Sequence, residues 1–139
     1  MAMRTMFCTI ALTGLAAASA IALPAQEPAA APDPAKVFSD NCAACHQEDG
    51  KGIEGAFPAL AGDAFVKGSP GPAIHVVLEG RAGMPTFKGD LTDAQIAAAL
   101  THVRTSWGNA ETPVTTAQVA RMRSGEAPDP TDTKVISAH

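Results

Sequence analysis

Two thiols and an imidazole stand together at Cys42-Ala43-Ala44-Cys45-His46, in a 139-residue chain whose one other cysteine, Cys8, lies near the N-terminus. The spacing has a physical use. On a helical turn, positions i and i+3 share a face, so both thiols can reach the two vinyl groups along one edge of a haem. The imidazole of His46 then falls under the iron as its proximal ligand. C-x-x-C-H is the pattern of c-type haem attachment. A zinc site would need a second ligand pair, and Cys8 leaves with the leader described below. A thioredoxin-type pair would need a βαβ setting, and this chain is patterned for helices. Composition points the same way: aromatics make up 4% of the residues, with no Tyr, one Trp and five Phe. A domain so poor in large side chains is expected to fill its interior with a bulky cofactor.

The iron of a bound haem needs a sixth ligand or keeps an open position. Met84 sits in Arg81-Ala82-Gly83-Met84-Pro85-Thr86-Phe87, a loop with no helical use for an apolar side chain. The 38 residues from His46 to Met84 are enough to wrap over the opposite haem face. Met84 is therefore the expected second axial ligand. Met122, between Arg121 and Arg123, reads as packing or surface. His75 on a helix, His102 on a polar helix flank and His139 in the tail are weaker candidates. His and Met together close both axial positions, admit no small-molecule substrate to the iron, and raise its potential. The function expected is one-electron transfer and not enzymatic turnover. Two alternatives stand beside it: a haem enzyme or gas sensor with an open sixth position, and a cytochrome subunit docked permanently on a dehydrogenase.

These residues must be positioned by a short chain. Residues 1–25 read as a secretory signal peptide: Arg4 precedes an uncharged apolar run, and small residues follow. Cleavage after Ala20, Ala22 or Ala25 fits, Ala25 being preferred, and export places the protein in the periplasm. An uncleaved anchor is the alternative, since the run is nominally long enough to span. The processed chain carries nine basic and 14 acidic residues, a formal charge of −5, which argues against a nucleic-acid partner. Residues 26–34 form a Pro/Ala linker. Helices are expected over about 35–44, with Asp33 as cap and Pro34 at the first position, over a single turn at 63–67, and over 72–79. Thr92 with Gln95, and Thr115 with Gln118, make capping boxes that open a helix toward Trp107 and a short helix to about Arg123. No segment alternates as a strand does. The fold class expected is all-α, with a domain at 35–109 and an extension at 110–139 that holds one short helix and a disordered tail.

Phe38 four residues before Cys42, C-A-A-C-H, F-P-A-L-A-G at 57–62, G-M-P-T-F at 83–87 and L-T-D-A-Q-I-A-A-A-L-T-H-V-R-T-S-W-G-N at 91–109 occur in an order that resembles a class I c-type cytochrome with one haem. The resemblance implies a small fold whose first and last helices cross beside the haem edge. It implies that the carbonyl of Pro58 accepts the proton of the axial imidazole and so orients His46. Arg81 is a candidate partner for a haem propionate. His102 stands where mitochondrial-type helices often carry Tyr. The S-W-G-N ending and the residues after it are similar to bacterial cytochromes that serve membrane-associated dehydrogenases. The partners implied are redox proteins: a dehydrogenase or quinol oxidoreductase as donor and a terminal oxidase or reductase as acceptor, with membrane contact only through them. Lys51, Lys67, Arg81 and Lys88 fall in segments expected to surround the haem edge, against Glu54, Asp63 and Glu79. That surround is expected to be near neutral or mildly positive.

Overall fold

The structure, a computed structural model, describes residues 30–127. The leader, most of the linker and the end of the tail lie outside the described residues. Among the described residues six helices follow one another: α1 Pro34–Asn41, α2 Ala43–His46, α3 Ala64–Lys67, α4 Pro70–Glu79, α5 Asp93–Thr105 and α6 Thr116–Arg123. Among the described residues the only β pairings are isolated bridges at Ile53–Phe57 and Arg81–Met84, so the domain is all-α.

Side-chain caps start most of these helices. The Asp33 carboxylate accepts from the backbone N–H of Ala35 and Lys36 at 2.9 and 3.1 Å, and Pro34 presets the first helical φ. Asp63 does the same for α3, accepting from Phe65 and Val66. Both capping boxes are complete, Thr92 with Gln95 and Thr115 with Gln118.

Three boundaries differ from the sequence expectation. The first helix stops at Asn41 because Cys42 leaves helical geometry (φ −122°, ψ −33°), and a separate turn restarts at Ala43. Helix α4 begins two residues early, with Pro70 instead of Pro72 in its first turn. Helix α5 ends at Thr105, ahead of Trp107, whose φ of +53° no helix tolerates.

The core is divided. Helix α1 lies across α5, burying Val37 against Ala98 and Ala99, and Phe38 against Val103. Phe38 and Ile96 are fully buried, each stabilising the fold by about 2–3 kcal/mol on transfer from water. A larger cluster joins Ile74 and Leu78 of α4, Leu91 just before α5, Ile96 and Leu100 of α5, and Val114 and Val119 from the C-terminal extension. Residues 110–123 thus contribute to the main core.

One buried cation ties the layers together. Arg104 on α5 is 2% exposed and donates to the carbonyls of Val66 (2.6 Å), Gly68 (2.9 Å) and Thr112 (3.0 Å). Burial holds its pKa below the ordinary arginine value, with Glu111 pulling the other way. Asn109 is the neutral counterpart: it accepts from the Gly62 N–H and donates to the carbonyls of Leu60 and Val103. Together they clamp the segment 60–68 to the end of α5.

Candidate haem site

The turn Cys42–His46 is built by its own backbone. The N–H groups of Cys45 and His46 both donate to the Cys42 carbonyl, at 3.2 and 3.0 Å, which stacks the two cysteines on one short turn. Both side chains are unpaired thiols, half-exposed. Burial, and secondarily Cys45, pushes the Cys42 thiol up to about 11. That is the opposite of the lowered pKa of a redox-active C-x-x-C nucleophile.

His46 is buried, and its Nδ1 donates to the carbonyl oxygen of Pro58 at 3.0 Å. A carbonyl can only accept, so Nδ1 carries the proton and Nε2 keeps the lone pair a metal requires. The loop that presents Pro58 is itself anchored on the turn: Gly52 N–H donates to the His46 carbonyl at 2.9 Å, and Ile53 and Phe57 pair at 2.8–2.9 Å. Gly52 has φ +64°, and a Cβ there would lie 2.4 Å from the Phe57 carbonyl oxygen and 2.6 Å from that of Pro58. Only glycine lets these strands of loop approach so closely.

Met84 is half-buried on its loop, and its backbone exchanges two hydrogen bonds with Arg81, at 2.9 and 3.1 Å. The loop hangs from the C-terminal end of α4: Thr86 Oγ1 donates to the Leu78 carbonyl at 2.5 Å and Phe87 N–H to that of Val77 at 3.0 Å. The Arg81 guanidinium lies 5.8 Å over the Phe65 ring, within reach of a cation–π contact.

Ile53, Phe57 and Phe65 were not singled out by sequence reasoning. They are the exposed large apolar side chains among the described residues. Phe57, with Pro58, also lines a hollow of about 440 Å³ between Lys51 and Ala59. Their signal was available: apolar residues in glycine-punctuated loops, with no helical face to serve.

The other expected candidates have different surroundings. His75 is exposed on α4 and Met122 packs against the main core. His102 joins a three-ring cluster with Phe38, tilted at 5.0 Å, and Trp107, edge-on at 5.1 Å, and those two rings also meet at 5.1 Å. Of the four bases expected round the site, two are in ion pairs: Lys51 with Asp49 and Lys88 with Glu79, each at 2.7 Å.

This donor set fits haem c. Two unpaired thiols share a turn, an oriented imidazole keeps a lone pair, and exposed apolar side chains offer the wall a porphyrin needs. Among the described residues, no group of three or more His, Cys, Asp or Glu converges as a metal site.

Comparison with known proteins bears on the same residues. Residues 29–103 match the family model described as cytochrome c oxidase, cbb3-type, subunit III. Cytochrome c-552 of Thermus thermophilus is 35% identical, over 87% of this chain and 86% of that one. The cytochrome c subunit of gluconate 2-dehydrogenase from Pantoea cypripedii is 37% identical over 66% of this chain. The cytochrome c subunit of the quinone alcohol dehydrogenase of Gluconacetobacter polyoxogenes is 35% identical over 68%. This chain spans about a quarter of those two subunits, 24% and 23%. The chain belongs to the c-type cytochromes, as a monohaem class I member. It carries covalently bound haem c and is an electron-transfer protein, exchanging electrons with other redox proteins.

Proposed function

We propose that the protein is a soluble one-electron carrier of the periplasm, with haem attached through Cys42 and Cys45 and iron held between His46 and Met84. Haem c supplies an iron that alternates between ferrous and ferric states. The carrying observation is the hydrogen bond from His46 Nδ1 to the Pro58 carbonyl. It fixes the imidazole tautomer and orientation, and it makes Nε2 a stronger donor. Met84 would complete the ligand set from a loop pinned at Thr86 and Phe87, and its thioether would favour the ferrous state. Arg81 would pair with a haem propionate, and the exposed side chains of Ile53, Phe57 and Phe65 would cover the ring against water.

The donor is a dehydrogenase or quinol oxidoreductase and the acceptor a terminal oxidase or reductase. With Lys51 and Lys88 in ion pairs, the charge around the site is close to balanced, which suits a weak, short-lived redox complex. Among the described residues no helix is long and apolar enough to cross a membrane. Optical spectra of the reduced and oxidised protein test the ligand set, since Met ligation gives a sulfur–iron charge-transfer band in the oxidised form. Rapid carbon monoxide binding to the reduced protein at neutral pH would instead establish an open sixth position.

The likeness to dehydrogenase cytochrome subunits favours a second reading, permanent docking on such an enzyme. Purification from the native membrane decides it: a carrier elutes alone, a subunit with its dehydrogenase.

A further inference from the structure

Arg123, the last residue of α6, makes contacts that a solvated surface arginine would not. Its Nε donates to Asp93 Oδ1 at 2.6 Å, its Nη2 to the Leu91 carbonyl at 2.9 Å, and its Nη1 to the Lys88 carbonyl. About three quarters of both side chains is removed from water. One guanidinium therefore joins the end of the Met84 loop, the first residue of α5 and the end of α6.

Between Met84 and that fork the backbone has little slack. Thr86 Oγ1 accepts from the Lys88 N–H at 3.2 Å while donating to Leu78, and the Phe87 carbonyl accepts from Asp90 and Leu91. Phe87 and Met122 both pack on the cluster that holds Leu91 and Val119. Withdrawing Met84 by any large movement requires residues 86–88 to release, and Arg123 opposes that at Lys88. The planar fork matters: a lysine ammonium carries the charge but cannot span three acceptors with fixed geometry.

We propose that Arg123 is a positioning residue for the sixth-ligand loop, so that the C-terminal helix sets how readily Met84 yields its place on the iron. The proposal rests on the reading of Met84 as axial ligand. An added ligand can bind only when the loop opens, so its apparent affinity reads the opening equilibrium.

The test is imidazole titration of the oxidised holoprotein, following loss of the sulfur–iron band. Arg123→Ala should keep that band without imidazole, yet bind imidazole about ten-fold more tightly than the wild type, equivalent to about 1.4 kcal/mol of loop opening. Arg123→Lys and Asp93→Asn should fall between. Val37→Ala, in the separate α1/α5 cluster, should lower the melting temperature while leaving imidazole affinity unchanged. In a Met84→Ala background, Arg123→Ala should add nothing further. If Met84→Ala binds imidazole tightly but Arg123→Ala and Arg123→Lys match the wild type, Arg123 does not position the loop. Equal tightening in Val37→Ala overturns the proposal as well, by showing general destabilisation. If the band survives Met84→Ala, the ligand assignment and the proposal fall together.

Discussion

Gly52→Ala puts the orientation of His46 to a direct test. The substitution adds a single methyl group, at φ +64°, where its carbon would lie 2.4 and 2.6 Å from the carbonyl oxygens of Phe57 and Pro58. Ordinary contact begins near 3.4 Å, so the Pro58 segment must retreat by up to about 1 Å. That carries the His46–Pro58 hydrogen bond from 3.0 Å toward about 4 Å, beyond bonding distance. Left-handed backbone costs a non-glycine residue about 1–2 kcal/mol, and the lost hydrogen bond adds about 1. Denaturant unfolding of the holoprotein should therefore show about 2–3 kcal/mol of destabilisation. The potential should also move. Donation from Nδ1 enriches the imidazole and favours ferric iron, so its loss should raise the potential. A differential of about 0.5–1 kcal/mol between oxidation states is roughly 20–40 mV for one electron. Gly55→Ala is the control: its φ is +75°, but a Cβ there meets nothing within 4 Å. It should share the backbone strain and leave the potential alone. Potentiometric titration of both variants decides the matter. If Gly52→Ala loses stability but keeps its potential within about 10 mV, the Pro58 carbonyl does not tune His46.

Other outcomes follow from the same geometry. A denatured mass spectrum should show haem covalently retained by the wild type; Cys42→Ala or Cys45→Ala should impair maturation, and the double change should abolish stable retention. Met84→Ala should remove the sulfur–iron band and lower the potential, whereas survival of the band there and its loss in Met122→Ala would name the other methionine. Arg104→Ala strands the carbonyls of Val66, Gly68 and Thr112 and should cost about 3 kcal/mol or more, seen as a large drop in melting temperature by circular dichroism. Stopped-flow electron transfer with a candidate dehydrogenase should slow about two-fold as exposed charge is screened by added salt; a rate indifferent to salt would mean that apolar contact guides docking.

Local chemistry explains what was legible in the sequence and what was not. Asp33-Pro34, Thr92 with Gln95 and Thr115 with Gln118 announce helix starts because each supplies an acceptor for N–H groups only two or three residues away. The C-A-A-C-H motif is equally local, and so is the loop character of Gly83-Met84-Pro85. The break at Cys42 was missed because nothing in the side chains of residues 41–44 forbids a helix; it belongs to the turn's own geometry. Nothing local marks Arg104 as buried, for its acceptors Val66 and Gly68 lie 38 and 36 residues away.

The C-terminal extension carries that lesson furthest. Its capping box marks a helix, but two valines in a polar stretch give no hint that Val114 and Val119 complete the core beneath α4 and α5. Nor does the sequence distinguish Arg123 from Arg121, two positions apart on one helix: Arg121 is exposed and Arg123 is drawn into the fork with Asp93 and Leu91. The difference arises because α6 packs with its Val119 side inward, which sets Met122 on the main core and Arg123 against the Lys88 and Leu91 carbonyls. A helix that buries so little apolar surface gains much of its fixed register from that polar fork. The same fork binds the segment that follows Met84. Anchoring the extension and restraining the loop are thus one interaction, and a change in either should be felt in the other.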